Sequence, residues 1–374
     1  MAEECFVATW IMKEVPRRVR WPVVGAVTIV VSLVLAVPPV LAGALDGSSV
    51  TVAMAGAPPL MGPGHHGAAG GGGNSPGGTP TDGSPVADVG PGSTTVTYCD
   101  EDGTAETLAV DEPTPLPTGA VPAVVYVHGG GWTGGDSSYA PSSLVGQMAS
   151  GIVAKGWIVI SINYRLAPRF QWPAQIEDAK CAIRFLRAHA AALHIDPLHI
   201  GAIGDSAGGQ IVALLALAGP GAGFDVGQYG DQSSAVQAVV DLYGPADLTT
   251  SDWLRSPVVQ AVAPDVFGTI LGPGHAGTSP TKSLTAASPV TYVGPDEPPF
   301  LIMQGDEDRV VPPDQSEELA DRLRAAGNTP SLVMVHGAQH EFVTADGGSV
   351  TPDLSQLASD ASGFLIRSLA PPGS

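Results

Sequence analysis

Six short apolar runs alternate with stretches of helical pattern between residues 123 and 337, and this alternation admits few folds. The runs are AVVYVHG (123–129), WIVISINY (157–164), HIGAIG (199–204), AVVDLYG (238–244), FLIMQG (300–305) and SLVMVHG (331–337). Each is continuous in β-branched and other apolar residues rather than alternating with polar ones. That is the texture of strands covered on both faces, as in a parallel sheet. Between and after them, 141–155, 173–193, 206–218, 313–326 and 352–369 read as helices. In the second of these, Ile176, Ala179, Ile183 and Leu186 form one apolar stripe, with Pro173 at its start. Upstream, TTVTY (94–98) and ETLAV (106–110) flank the polar DEDGTA and read as a hairpin at a sheet edge. The pattern predicts an α/β fold with an open, mostly parallel twisted sheet and helices on both faces. In such sheets reactive groups gather at the carboxyl ends of the strands, where loops are free to carry chemistry.

The rest of the chain is of another kind. Lys13, Arg17, Arg18 and Arg20 precede an uncharged stretch from Trp21 to Leu45, long enough to span a hydrocarbon core as a helix. Basic residues before an apolar run hold the N-terminus inside and send the downstream chain outward. Pro38 and Pro39 cut the run short, and Ala42-Gly43-Ala44 supplies small residues of the kind signal peptidases accept. Residues 1–45 therefore read as a signal peptide or membrane anchor, with the signal favoured, and contact with membrane or envelope is expected at this end. Many of the 48 glycines and 35 prolines crowd the next stretch, which includes GHHGAAGGGGNSPGGTP. With few large apolar groups it buries too little to offset its ordering entropy, so 46–92 reads as a flexible linker. His65-His66 within it lacks a third ligand and reads as solvated chain rather than a metal site. The folded unit is then 93–371. A formal net charge of −20 repels phosphate backbones and argues against nucleic acid as a partner. The three cysteines, Cys5, Cys99 and Cys181, are too few and scattered for a zinc module or a disulfide scaffold. Export would expose Cys99 and Cys181 to oxidising surroundings, but their elements need not be close, so a bond between them is not the expectation.

Four strand ends carry chemistry. HIGAIGDSAGGQIVALLAL runs from strand through a sharp turn to helix, with Gly204-Asp205-Ser206-Ala207-Gly208 at the turn, a G-x-S-x-G pattern. A serine on so tight a turn needs small neighbours, and the helix after it points its positive end at the hydroxyl. After the AVVYV strand comes His128-Gly129-Gly130-Gly131-Trp132, whose glycines can turn backbone N–H groups toward a substrate oxygen. No Lys-Ser/Thr follows and the spacing is not G-x-G-x-x-G, which disfavours a nucleotide. His128 reads as a loop-holding residue rather than a base. A serine hydroxyl needs a base, and the base needs an acid to fix its tautomer. Both come after strands late in the chain: FLIMQG leads into Asp306-Glu307-Asp308, and SLVMVHG leads into Ala338-Gln339-His340. Asp308 is the candidate acid, with Asp306 in reserve, and His340 the candidate base.

These pieces, together with NYRLAP (163–168) and QGDEDRVVP (304–312), resemble the α/β-hydrolase superfamily over roughly 95–370. The resemblance is greatest to carboxylesterases related to hormone-sensitive lipase and to the bacterial feruloyl- or acetyl-esterase-like group. It implies a serine carboxylic-ester hydrolase with Ser206, Asp308 and His340 as catalytic residues. The family's G-x-x-D-x-x-V-P pattern selects Asp308 over Asp306. The same resemblance implies Gly130, Gly131 and Ala207 as oxyanion donors, and neither metal nor organic cofactor. Trp132 reads as a wall of the acyl pocket, and Asp178 as a structural partner of Arg165. In place of the helical cap found in many lipase-like relatives, this chain has a tether and a hairpin. The long excursion 246–299 could supply a small lid. An uncapped site suggests short-acyl esters, and export suggests small-molecule or polysaccharide-linked esters outside the cytoplasm. The alternatives are a peptidase or amidase of the same fold, and a non-catalytic surface-binding protein on a hydrolase scaffold.

Overall fold

Eight strands form one sheet in the order β1-β2-β4-β3-β5-β6-β7-β8. They are β1 (Val96–Glu101), β2 (Thr104–Asp111), β3 (Val121–Val127), β4 (Ile158–Ile162), β5 (Ile195–Asp205), β6 (Val239–Leu242), β7 (Phe300–Gly305) and β8 (Ser331–Val335). The β1–β2 and β2–β4 pairs are antiparallel, and every pair from β4 through β3 to β8 is parallel. The computed structural model describes residues 95–250, 257–262, 280–345 and 347–371, all within one compact unit, Pro80–Ser374. The leader (1–45) and linker (46–92) expected from the sequence lie outside the described residues, as does most of the 251–279 stretch that could hold a lid. Among the described residues no helix is long and apolar enough to cross a membrane.

The helices are α1 (Leu144–Ala154), α2 (Ala174–Ala188), α3 (Ala207–Leu217), α4 (Pro257–Val262), α5 (Pro280–Ala287), α6 (Pro313–Ala325) and α7 (Leu354–Leu369). Alternate residues of each strand feed opposite layers. Val125 and Val127 pack with Ile176 and Ile183 of α2, Ile211 and Leu214 of α3, and Leu319 of α6. Val124 and Tyr126 pack with Met148 and Ile152 of α1 and Leu357 and Leu365 of α7. Burial on both faces is what the unbroken apolar runs required, and only the edge strand β8 departs from it, with Leu332, Val333 and Met334 half-buried.

Local differences from the sequence reading have local causes. The hairpin strands run longer than expected and leave only Asp102-Gly103 as the turn, both with positive φ (53° and 72°), the conformation that suits the twist of a two-residue hairpin. The helix read over 173–193 stops at Ala188, where the ring of His189 caps the Phe185 carbonyl at 3.0 Å. The chain then turns and starts β5 at Ile195, four residues earlier than the apolar run suggested. The most consequential difference is that Cys99 and Cys181 are joined by a disulfide. The hairpin lies against α2, so two elements that need not have met are stapled together.

Candidate active site

The serine stands between β5 and α3 with φ 53° and ψ −118°, a backbone conformation that costs a non-glycine residue about 1–3 kcal/mol and clusters at functional sites. Its flanking glycines are required by space. A Cβ on Gly204 would sit 2.2 Å from the Gly208 carbonyl oxygen, and one on Gly208 would sit 2.0 Å from that of Val127. The Ser206 N–H donates to the Leu242 carbonyl at 2.9 Å, which ties the turn to the end of β6. The helix dipole of α3 then adds positive potential at the turn.

The ends of β7 and β8 bring the other two side chains to this turn. His340 Nε2 lies 2.9 Å from Ser206 Oγ, and His340 Nδ1 lies 2.7 Å from Asp308 Oδ2. The Asp308 side chain is fully buried, and its carboxylate is held from several sides. Oδ1 accepts the N–H groups of Val310 and Val311 at 2.8 and 2.9 Å, and Oδ2 also accepts from Gln304 Nε2 at 3.3 Å. Gln304 is itself fixed, because its Oε1 accepts from Ser316 Oγ at 2.8 Å. The reserve acid faces elsewhere: Asp306 bonds the exposed ring of His336 at 2.9 Å and the Gly337 N–H at 2.8 Å. Tyr243, at φ 46°, meets the rings of His340 and Phe342 in edge-to-face pairs, with centroids 4.8 and 4.9 Å apart.

At the end of β3, Gly130 and Gly131 have φ of 109° and 60°, and Trp132 is next at 61°. Among the described residues, the N–H groups of Gly130, Gly131 and Ala207 make no hydrogen bond, while the Gly130 carbonyl is taken by Thr133 and Gly134. The loop is therefore folded on its carbonyls and has N–H groups to spare. His128 stacks on Tyr164 at 4.2 Å, its Nδ1 lies 2.7 Å from the Gly129 carbonyl, and burial lowers its pKa. These contacts hold the loop. The Trp132 ring is buried, with its indole N–H donating to Gln210 Oε1 at 2.9 Å. Arg165 and Asp178 pair as a buried bidentate contact, and Asp102 adds a second carboxylate at 2.7 Å. No cluster of three or more His, Cys, Asp or Glu side chains able to hold a metal occurs among the described residues.

Three side chains that matter to this arrangement were not singled out from the sequence. Asp205 accepts the Tyr126 hydroxyl at 2.7 Å and the Gly129 N–H at 3.1 Å, bridging serine turn and glycine loop, and burial raises its carboxyl pKa. Gln304 and Gln210 are the others. For Gln210 and Gln304 the signal was a polar residue inside an otherwise apolar, buried run, whereas Asp205 stands at the strand end beside Ser206.

A family model, BD-FAE, matches residues 114–323. Esterase LipC of Mycobacterium tuberculosis is 30% identical over 270 residues, covering 69% of this chain and 62% of LipC. The chain spans between 50% and 62% of the length of the first curated relatives it matches. Among solved structures, a truncated carbohydrate esterase from gut microbiota aligns with TM-score 0.60 and 28% identity, over 77% of this chain and 99% of that one. A thermophilic esterase from Thermogutta terrifontis, solved alone and with propionate or butyrate bound, is 26% identical, with TM-score 0.59 over 76% and 96% of the two chains in its unliganded form. An eight-stranded sheet of this order, with a strained serine turn after its fifth strand, is the α/β-hydrolase fold, and with more than half its length matched this chain belongs to the BD-FAE family.

Proposed function

We propose that this chain is a serine carboxylic-ester hydrolase that cleaves short-acyl esters outside the cytoplasm. The observation that carries the reading is the continuous contact from Ser206 Oγ through the His340 ring to the buried Asp308 carboxylate, at 2.9 and 2.7 Å. In this mechanism His340 Nε2 takes the Ser206 proton as Oγ bonds to the ester carbonyl carbon, whose π electrons pass to the oxygen. The N–H groups of Gly130, Gly131 and Ala207 receive that oxyanion, and Asp308 stabilises the imidazolium. As the C–O bond to the alcohol breaks, His340 gives its proton to the leaving oxygen. Water, deprotonated by the same imidazole, then releases the acid and restores Ser206. Trp132 closes the acyl side of the site. Propionate and butyrate bound to the Thermogutta terrifontis esterase support a short acyl group. The basic, apolar leader and the Cys99–Cys181 disulfide support an oxidising location outside the cytoplasm.

Labelling with a fluorophosphonate probe, and then peptide mapping, tests the nucleophile and its activation together. The expected result is one adduct, on Ser206, with hydrolysis of acetyl and butyryl p-nitrophenyl esters that is lost in Ser206→Ala. Labelling elsewhere, or undiminished hydrolysis by that variant, overturns the reading. A preference for dodecanoyl over acetyl esters overturns the short-acyl part alone.

A further inference from the structure

Gln210 lies in the first turn of the serine helix, one turn beyond Ser206, and is 1% exposed. Both ends of its amide are used. Oε1 accepts the indole N–H of Trp132 at 2.9 Å, and Nε2 donates to the Ala287 carbonyl at 2.6 Å. Ala287 is the last residue of α5, and the final carbonyls of a helix have no partner within it. Here every one is met by a side chain: Leu284 by Ser288, Thr285 by Thr291, Ala286 by Tyr292, and Ala287 by Gln210. The first three come from the residues just beyond α5. Gln210 alone reaches across from another element, so one amide joins the serine helix, the glycine loop and the end of the 246–299 excursion.

The other arm of that amide meets strained backbone. Trp132 comes after the two glycines at φ 61°, a strained conformation for an aromatic residue that persists only where its surroundings enforce it. Two polar contacts do so: the indole bond to Gln210, and the Trp132 carbonyl accepting the Ala167 N–H at 2.9 Å. Freed of the first, Trp132 can relax toward negative φ, and the peptide planes of Gly130 and Gly131 rotate with it. We infer that Gln210 is a positioning residue that holds the Gly130–Trp132 backbone in the geometry that receives the oxyanion, and couples it to α5. This rests on the esterase reading above. Such a residue acts on the transition state rather than on substrate binding, so its loss falls on kcat.

The test is a double-mutant cycle with p-nitrophenyl acetate: Gln210→Met, which keeps the volume and removes both polar arms, Trp132→Phe, which removes only the indole donor, and the pair together. Each single variant is expected to lose about ten- to hundredfold in kcat with KM within about twofold, and the double variant to lose no more than the worse single one. Active-site titration with the fluorophosphonate restricts the comparison to folded, labelled protein. Losses that multiply in the double variant, a change confined to KM, or kcat at the parental level in Trp132→Phe overturns the inference. A parent chain that neither labels at Ser206 nor hydrolyses the ester overturns the esterase reading itself, and the inference with it. A parent that does both, with indifferent variants, overturns only the role of Gln210.

Discussion

Replacing Asp308 by Asn changes one atom in a fully specified site, and the surroundings dictate how the new amide must sit. The Val310 and Val311 N–H groups, at 2.8 and 2.9 Å from Oδ1, accept no other orientation than an oxygen facing them. The amide nitrogen is then turned to the atoms that faced Oδ2, His340 Nδ1 at 2.7 Å and Gln304 Nε2 at 3.3 Å. Gln304 cannot flip away, because its Oε1 is held by Ser316 and its Nε2 also donates to the Gly305 and Val311 carbonyls. The imidazole must answer the new donor with a lone pair on Nδ1, so its proton moves to Nε2. That nitrogen, 2.9 Å from Ser206 Oγ, then offers a hydrogen where a base is needed. A wrong tautomer with unchanged geometry costs about 10⁴ in kcat, equivalent to roughly 5.5 kcal/mol of barrier. Asp306→Asn, by contrast, weakens only an exposed contact to His336 and should cost less than about fivefold. Steady-state hydrolysis of p-nitrophenyl acetate, with circular dichroism to certify folding, compares the two. Loss of less than tenfold in Asp308→Asn, or the larger loss in Asp306→Asn, refutes the tautomer argument.

Two further outcomes concern stability. The Cys99–Cys181 bond closes a separation of 82 residues, and the chain-entropy relation assigns such a loop roughly 4.5 kcal/mol. Cys181→Ser, or reduction, should lower the urea midpoint accordingly, and an unchanged midpoint rejects the bond. Asp241 is buried under the serine helix, where among the described residues it accepts one hydrogen bond, from the Gly244 N–H, and burial pushes its pKa up to about 7. The native state therefore keeps a proton that the unfolded chain has released, so stability falls as pH rises from roughly 4 to 7. Urea midpoints across that range should slope downward in the parent, and Asp241→Asn should make the slope shallower, leaving the share of Glu106, which burial also raises to about 7. A variant whose slope matches that of the parent excludes Asp241 as its source.

Much of the sheet could be read along the chain. FLIMQG is β7 residue for residue, because a short run flanked by proline and an acidic turn has no other way to bury itself. The serine turn was legible for the same kind of reason: Gly204 and Gly208 are demanded by contacts within five residues of each other and with the adjoining strand. The end of α2 was less legible, since HAAAL has good helical texture and only the His189 cap and the buried turn into β5 stop it. The disulfide was legible only as a pair of cysteines facing oxidising surroundings, not as a contact. It depends on the β1–β2 hairpin folding onto α2, a contact between segments 82 residues apart.

The amino-acid order by itself determined the kinds of elements, their succession, and the chemistry waiting at four strand ends, because periodicity and turn composition act over a few residues. It could place Asp306 and Asp308 two residues apart in one acidic turn, with Asp308 preferred and a family pattern to second the choice. Tertiary structure separated them by direction, turning Asp308 inward to His340 and Asp306 outward to His336. It likewise gave Asp205, Gln210 and Gln304 their partners, at separations of 4 to 79 residues. Most of those hydrogen bonds exist only once the sheet and its helices have packed, since a buried polar group must take whatever partner the fold brings within reach.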